Sequence, residues 1–413
     1  MTTMKILRLP CLLVAAATVA SLAGATSLEL LPLADGDLAT TTLSKSAPSG
    51  ARIPNDDQPV QVSWLLDPEL ALASRPQAPV AESRSFWFQV SAADLGAGVA
   101  IDTTAPGAVV RVNPLDATDV ILDPRSFELV DATKRVRIGA NAMDQLVSAE
   151  ELKASDSPFP SGTAAFRISA ELGAGSFQLR IPGLERCGSS RFIVHVFEPD
   201  SAAVAHLSCG SGAILEGEGI EASAQLTIAG TPVDVNDADA TLIAPDGRRS
   251  PLELDDRDGT LIAATRIGAA APGGGLWEIE IRLDAQTDDR RVRRTVRAAF
   301  AVAAATARLD GRVERVDGRD LVLRLGVETA AVGRYEVRGI LWGTTTEGAM
   351  APIAVAHSAA TLGTGRSELD LVFTGDLVAQ APARAPYELR DLQLMDQTRM
   401  GVLHRQERAL VID

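Results

Sequence analysis

Strict two-residue alternation of apolar and polar side chains constrains this chain more than any other feature. Ile220, Ala222, Ala224, Leu226 and Ile228 alternate with Glu221, Ser223, Gln225 and Thr227. Trp277, Ile279, Ile281 and Leu283 alternate with Glu278, Glu280 and Arg282, and the same period runs through Val296, Ala298, Phe300 and Val302 and through Leu321, Leu323, Leu325 and Val327. Successive side chains of a strand point to opposite faces, so such segments can bury one face and wet the other only as antiparallel strands. Turn chemistry separates them at Pro245-Asp246-Gly247, Asp256-Arg257-Asp258-Gly259 and Gly273-Gly274-Gly275. The pattern predicts an all-β chain of tandem immunoglobulin-like β-sandwiches. One short helix is expected near Asn141–Lys153, where Ser148-Ala149-Glu150-Glu151 has the spacing of a capping box.

The first twenty-five residues set the compartment. Lys5 and Arg8 form a positive head, Cys11 to Leu22 an uncharged apolar run, and Ala23-Gly24-Ala25 a small-x-small cleavage site. The run is too short to span a bilayer and reads as a secretory signal peptide, so the mature chain starts near Thr26 and is exported to the periplasm or beyond. No later apolar run approaches the roughly 20 residues of a membrane helix. Of the 413 residues, 1–25 are the signal, 26–201 an N-terminal β-rich domain with an extended Pro-, Ser- and Asp-rich leader, 202–303 an immunoglobulin-like sandwich, and 304–413 a C-terminal sandwich of accessory type. Strands are expected at Val60–Trp64, Phe86–Val90, Val109–Val112, Phe177–Ile181 and Phe192–Phe197 in the first block, and a phase shift between Leu389 and Leu392 predicts a bulge at Arg390-Asp391 in the last. A net charge of −15, made more negative when Lys5 and Arg8 are removed, argues against nucleic acid and against unaided docking on an anionic membrane.

Chemistry-bearing residues are sparse. Cys187 and Cys209 are the only cysteines outside the signal. In an oxidising compartment they are expected to pair, closing a loop for a contribution of about 3 kcal/mol. Adding His195 and His206 gives a Cys-x7-His-x10-His-x2-Cys spacing that fits no compact zinc module. His357 and His404 complete four scattered histidines with no metal-ligand spacing. Asp234, Asp237 and Asp239 form the densest acidic cluster. It reads as a solvated turn, with a weak calcium site as the alternative. Arg290, Arg291, Arg293 and Arg294 make a basic run in an acidic chain. The expected reading is a strand at the rim of the second domain whose arginines meet Glu278 and Glu280 across a hairpin, and the alternative is an anion or partner patch. No nucleophile-elbow, P-loop or dinucleotide signature occurs, so no cofactor and no metal is expected.

Four stretches carry a resemblance: Ala105–Val112, Val194–Pro199, Ala385–Leu392 and Arg405–Ile412. They resemble an uncharacterised family of secreted Gram-negative bacterial proteins with immunoglobulin-like domains. The resemblance implies the same fold and supplies no catalytic residues. Together these readings predict an exported, non-catalytic binding protein whose partner is a protein or glycan of the envelope or extracellular space. The alternatives are an envelope assembly factor using an exposed strand edge, and a hydrolase whose site forms from distant residues.

Overall fold

The fold is that of a computed structural model describing residues 25–44, 58–72, 79–115, 122–131, 136–138, 143–154, 161–187, 189–272, 274–287, 290–316 and 318–413; the signal segment lies outside them, apart from Ala25. Six sheets make three sandwiches, each with its own apolar core. In the first, a five-stranded sheet runs Met143–Val147, Ala164–Ile168, Val109–Pro114, Arg191–Phe197, Ser85–Ser91. It faces a four-stranded sheet of Val99–Asp102, Ser176–Arg180, Glu128–Asp131 and Val136–Ile138. Phe86, Val110, Phe166, Phe177, Phe192 and Val194 fill the space between. The predicted helix is half right. Met143–Val147 is a strand, and only Ala149–Ala154 is helical. Its start is set by the expected box, with Ser148 N donating to Glu151 Oε2 at 2.7 Å and Glu151 N to Ser148 Oγ at 3.3 Å.

The second sandwich joins the sheet containing Ala203–Cys209, Gly219–Ile228 and Thr260–Arg266 to the sheet containing Asp237–Ile243, Leu276–Gln286 and Arg291–Ala303. The alternating residues of the sequence point inward: Ile220, Ala222, Ala224, Leu226, Ile279, Ile281, Leu283, Val296 and Phe300 are all buried in one core. The third sandwich contains the six-stranded sheet Leu38–Ala39, Gly401–Ile412, Arg384–Asp396, Gly333–Thr344, Met350–Leu362, Val60–Leu65. The expected bulge is present: pairing with Gly333–Thr344 slips between Arg338 and Ile340, and Asp391 has φ 49°.

The leader is a correction to the sequence reading. It does not belong to the N-terminal domain. Ala25–Glu29 pairs with Ala307–Val316, Leu38–Ala39 with Gly401–Ile412, and Val60–Leu65 with Met350–Leu362, so all three strands complete the third sandwich. Val80–Ser83 then joins the second sandwich beside Ala203–Cys209 before the chain enters the first. Strand pairing is non-local, and the alternation within a strand does not name the sheet that will accept it. The Ala303-Ala304-Ala305-Thr306 link is buried throughout, with Thr306 Oγ1 donating to Asp396 at 2.7 Å and Ala305 N to Glu216 at 3.2 Å.

Candidate functional site

The basic run forms the strand Arg291–Ala303, paired with Leu276–Gln286 as expected, so that Arg291 lies opposite Gln286 and Arg297 opposite Glu280. Arg291 is held by Asp284 at 3.0 Å. Arg297 Nε meets Glu280 at 2.7 Å and its guanidinium lies 4.9 Å over Trp87. Arg249 and Arg282 also reach Glu280, at 2.7 and 3.1 Å. Burial works against ionisation of Glu280, yet the arginines, Arg297 foremost, hold its pKa below the usual carboxylate range. Arg290 also has a polar partner.

Arg293 and Arg294 turn away from solvent and clasp the first sandwich. The Arg293 guanidinium sits 4.4 Å from the Phe86 ring and 5.2 Å from Phe88, and 3.6 Å from Asp102. Arg294 forms a 2.7 Å ion pair with Glu198, both side chains 0 % exposed. Its remaining donors go to Ala203 O at 2.9 Å, Arg293 O at 2.6 Å, Thr104 Oγ1 at 2.9 Å and Ser201 Oγ at 2.7 Å. Glu198 in turn accepts from the backbone N–H groups of Thr104 and Ala105. Burial lowers the Arg294 pKa and Glu198 opposes that shift. A guanidinium remains charged even so. Half of the predicted patch, Arg293 and Arg294, is therefore an internal joint with the chain's own N-terminal sandwich, while Arg290 and Arg291 stay exposed, Arg291 paired with Asp284 of its own hairpin.

Other expected site residues stay apart. Cys187 and Cys209 are free thiols. The expected disulfide is absent because Cys209 is buried in the core of the second sandwich while Cys187 packs against the core of the first. Burial pushes the Cys209 thiol up to about 11. Asp237 and Asp239 are exposed on the strand Asp237–Ile243 and Asp234 lies in the loop before it. Among the described residues no group of three His, Cys, Asp or Glu side chains is arranged to hold a metal ion. His195 is pushed down to about 4, by burial first and then by Arg111.

The feature left over lies on the third sandwich. Val60–Leu65 is the terminal strand of the six-stranded sheet. Ser63 lies opposite Ala356, and Leu65 opposite Ala354, both in the core. The polar row Gln61 and Ser63 is thus on the core face, and Val60, Val62 and Trp64 are on the outer face. These three are 41 %, 48 % and 47 % exposed. Trp64 stacks on His357 at 5.1 Å with an 11° interplanar angle, and His357 Nδ1 is 2.6 Å from Glu336. From Trp64 the outer row crosses Val355, Ile340 and Arg390. Arg390 lies 4.8 Å over the Trp342 ring, whose buried indole N–H has no acceptor among the described residues. Arg338 meets Asp391 at 3.3 Å, and Glu388 joins Arg390 to Arg408. Tryptophan and arginine, flat and amphipathic, are the side chains most enriched where surfaces bind partners.

Three tandem sandwiches, each with its own apolar core, define a multidomain all-β protein. The chain belongs to the DUF4785 family of domains of unknown function: residues 54–198 match its N-terminal domain and residues 306–413 its C-terminal domain. A crystal structure of a DUF4785 family protein from Legionella pneumophila is similar over 92 % of this chain and 98 % of that one, at 20 % identity and TM-score 0.71. That likeness shows the fold. A Salmonella alpha-2-macroglobulin is 12 % identical with a TM-score of 0.22, over 84 % of this chain and 24 % of that one, and carries no argument. No curated protein matches.

Proposed function

We propose that this is an exported, non-catalytic binding protein of the bacterial envelope or extracellular space, and that it binds through the outer face of the six-stranded sheet around Trp64. The observation that carries the reading is the edge strand Val60–Leu65: Val60, Val62 and Trp64 stand in solvent on the outer face of the sheet, while Ser63 shares the inner face with the buried Ala356. A strand that only completed a sandwich would be oriented the other way. A contiguous exposed apolar patch rimmed by charged groups is the surface signature of a binding site. Arg338, Arg390 and Arg408, partly exposed beside Asp391 and Glu388, give the face polar groups that suit a carbonyl- or hydroxyl-rich partner, either protein or glycan. Export is supported by the signal-like first twenty-five residues. Cleavage after Ala25 leaves Thr26–Glu29 to pair with Arg312–Arg315.

Immobilised mature protein, wild type and Trp64→Ala, is exposed to envelope extract, culture supernatant and a glycan panel. Capture by the wild type that is lost in the variant, with little change in melting temperature, supports the reading. Equal capture by both overturns the assignment of the face. Cell fractionation with N-terminal sequencing tests export, and a cytoplasmic chain retaining Lys5 and Arg8 overturns it.

A further inference from the structure

The three sandwiches use the chain in a nested order. The strands of the first come from residues 85–197 alone. The second adds Val80–Ser83, which pairs with Ala203–Cys209 across that whole block. The third pairs Ala25–Glu29, Leu38–Ala39 and Val60–Leu65 with strands beyond both. Arg84 Nε reaches Ser201 O over 117 positions, whereas Gln406 Nε2 reaches Leu31 O over 375. Among the described residues each leader strand ends its sheet with one neighbour, and that neighbour is never another leader strand. Single strands of this length, two residues at Leu38–Ala39, have no stability of their own. Their acceptor is locally connected. Ala307–Val316 pairs with Leu321–Thr329, Gly333–Thr344 with Met350–Leu362, and Arg384–Asp396 with Gly401–Ile412, each with the next strand along the chain. Pairings that close short loops form early, and pairings across hundreds of residues form late.

We propose that residues 26–44 and 58–66 form a strap that fastens last, onto a third sandwich already assembled from residues 307–412. The segment that follows the signal-like stretch then has no strand partner until the chain is complete. The strap closes three of the four sheet ends of that sandwich, leaving Gly365–Phe373 as the other. Its apolar anchor is Leu38, in the core, with Leu28 and Leu30 packed against the same cluster. Its polar anchor is Gln406, 0 % exposed, whose Nε2 donates to Leu31 O at 2.7 Å. Thr40 Oγ1 donates to Leu403 O at 2.9 Å, and Asp37 accepts from Glu407 N at 3.0 Å. At the other end Arg334 donates to Gln58 O and Leu66 N to Ile353 O, both at 2.9 Å. Each of these bonds joins one end of the chain to the other. An unpaired N-terminal segment is the form in which a signal-directed route takes up a chain, and that consequence alone rests on the export reading.

Refolding of the full mature chain from urea, with pulsed hydrogen exchange read by mass spectrometry, tests the order without reference to export. Amides of Ser85–Ser91 and Arg191–Phe197, and of Gly333–Thr344 and Arg384–Asp396, should gain protection first. Those of Thr26–Glu29, Leu38–Ala39 and Val60–Leu65 should follow them. Strap amides protected before or together with Gly333–Thr344 and Arg384–Asp396 overturn the proposal. In the native state Leu38→Ala should speed exchange of the strap amides by roughly 30-fold or more, as a truncated core leucine does, and leave Ser85–Ser91 and Arg191–Phe197 unchanged. Equal acceleration in all three sandwiches overturns the strap as a separate unit. The wild-type kinetics decide the order even where the variant does not fold. A strap that fastens last in a chain found in the cytoplasm supports the proposal and overturns export alone.

Discussion

The joint between the first two sandwiches and the open edge of the third solve opposite problems. At the joint, the Arg294–Glu198 pair is withdrawn from water, and both its guanidinium and its carboxylate are hydrogen-bonded. At the edge, a strand without a single charge leaves four apolar side chains, Val60, Val62, Trp64 and Leu65, exposed to solvent. A buried ion pair holds its geometry because removing either partner strands a charge. An uncharged edge holds nothing and costs little to cover. The comparison places a matched, buried ion pair in the arginine run and exposed apolar side chains on the strand Val60–Leu65.

The sharpest way to break that contrast is at Arg294. Arg294→Ala should destabilise by about 3–5 kcal/mol, because Glu198 is left charged and buried. Joint replacement, Arg294→Met with Glu198→Gln, should recover most of the loss. Chemical denaturation of both variants measures this, and a mild effect of the single change would mean the joint is wet. Acid should weaken the first sandwich next. His195 is held at about 4 in the fold against about 6.5 unfolded, so the unfolded chain binds the extra proton between those values. Stability is then full above about pH 6.5 and falls as pH drops toward 4, by up to about 3 kcal/mol. His404 is shifted the same way. Glu280, with its pKa lowered, adds stability above the normal glutamate value that is lost only at lower pH still. Melts at pH 7 and 4.5 for wild type and His195→Gln should show the slope flattened in the variant.

Smaller effects belong to the open edge. Trp64→Ala should cost about 1 kcal/mol or less, the size of one aromatic stack, and a much larger loss would show that the strand is part of the core. Smallest are the residues expected to form sites that the fold keeps apart. Native protein should show no disulfide by intact mass, and a thiol reagent should spare Cys209 until unfolding. Melts should be unchanged by EDTA, and a calcium-restored drop would bring Asp234, Asp237 and Asp239 back as ligands.

Much of the joint is legible in the sequence. Val292, Val296, Ala298 and Phe300 occupy the inward phase of their strand, and Arg294 shares it; Glu198 follows Phe192, Val194 and Val196 in the same phase of its own. A charge in a core phase on each of two strands signals a buried pair. The edge strand gave the opposite lesson: its apolar phase marks Val60, Val62 and Trp64 for burial, and they are exposed. The disulfide failed because a count of cysteines says nothing about which core each one enters.

The sequence by itself determined that the chain is built from strands, where most of them lie, where Arg390-Asp391 bulges and how Ser148 caps a helix. These depend on side-chain period, turn residues and contacts a few positions apart. Only the tertiary structure decided that the leader completes the last sandwich, that Arg294 meets Glu198, and that Val60–Leu65 ends a sheet with its apolar row outward. Those are choices of partner strand and face, made by cores assembled from residues hundreds of positions apart, and alternation within one strand is the same whichever sheet accepts it.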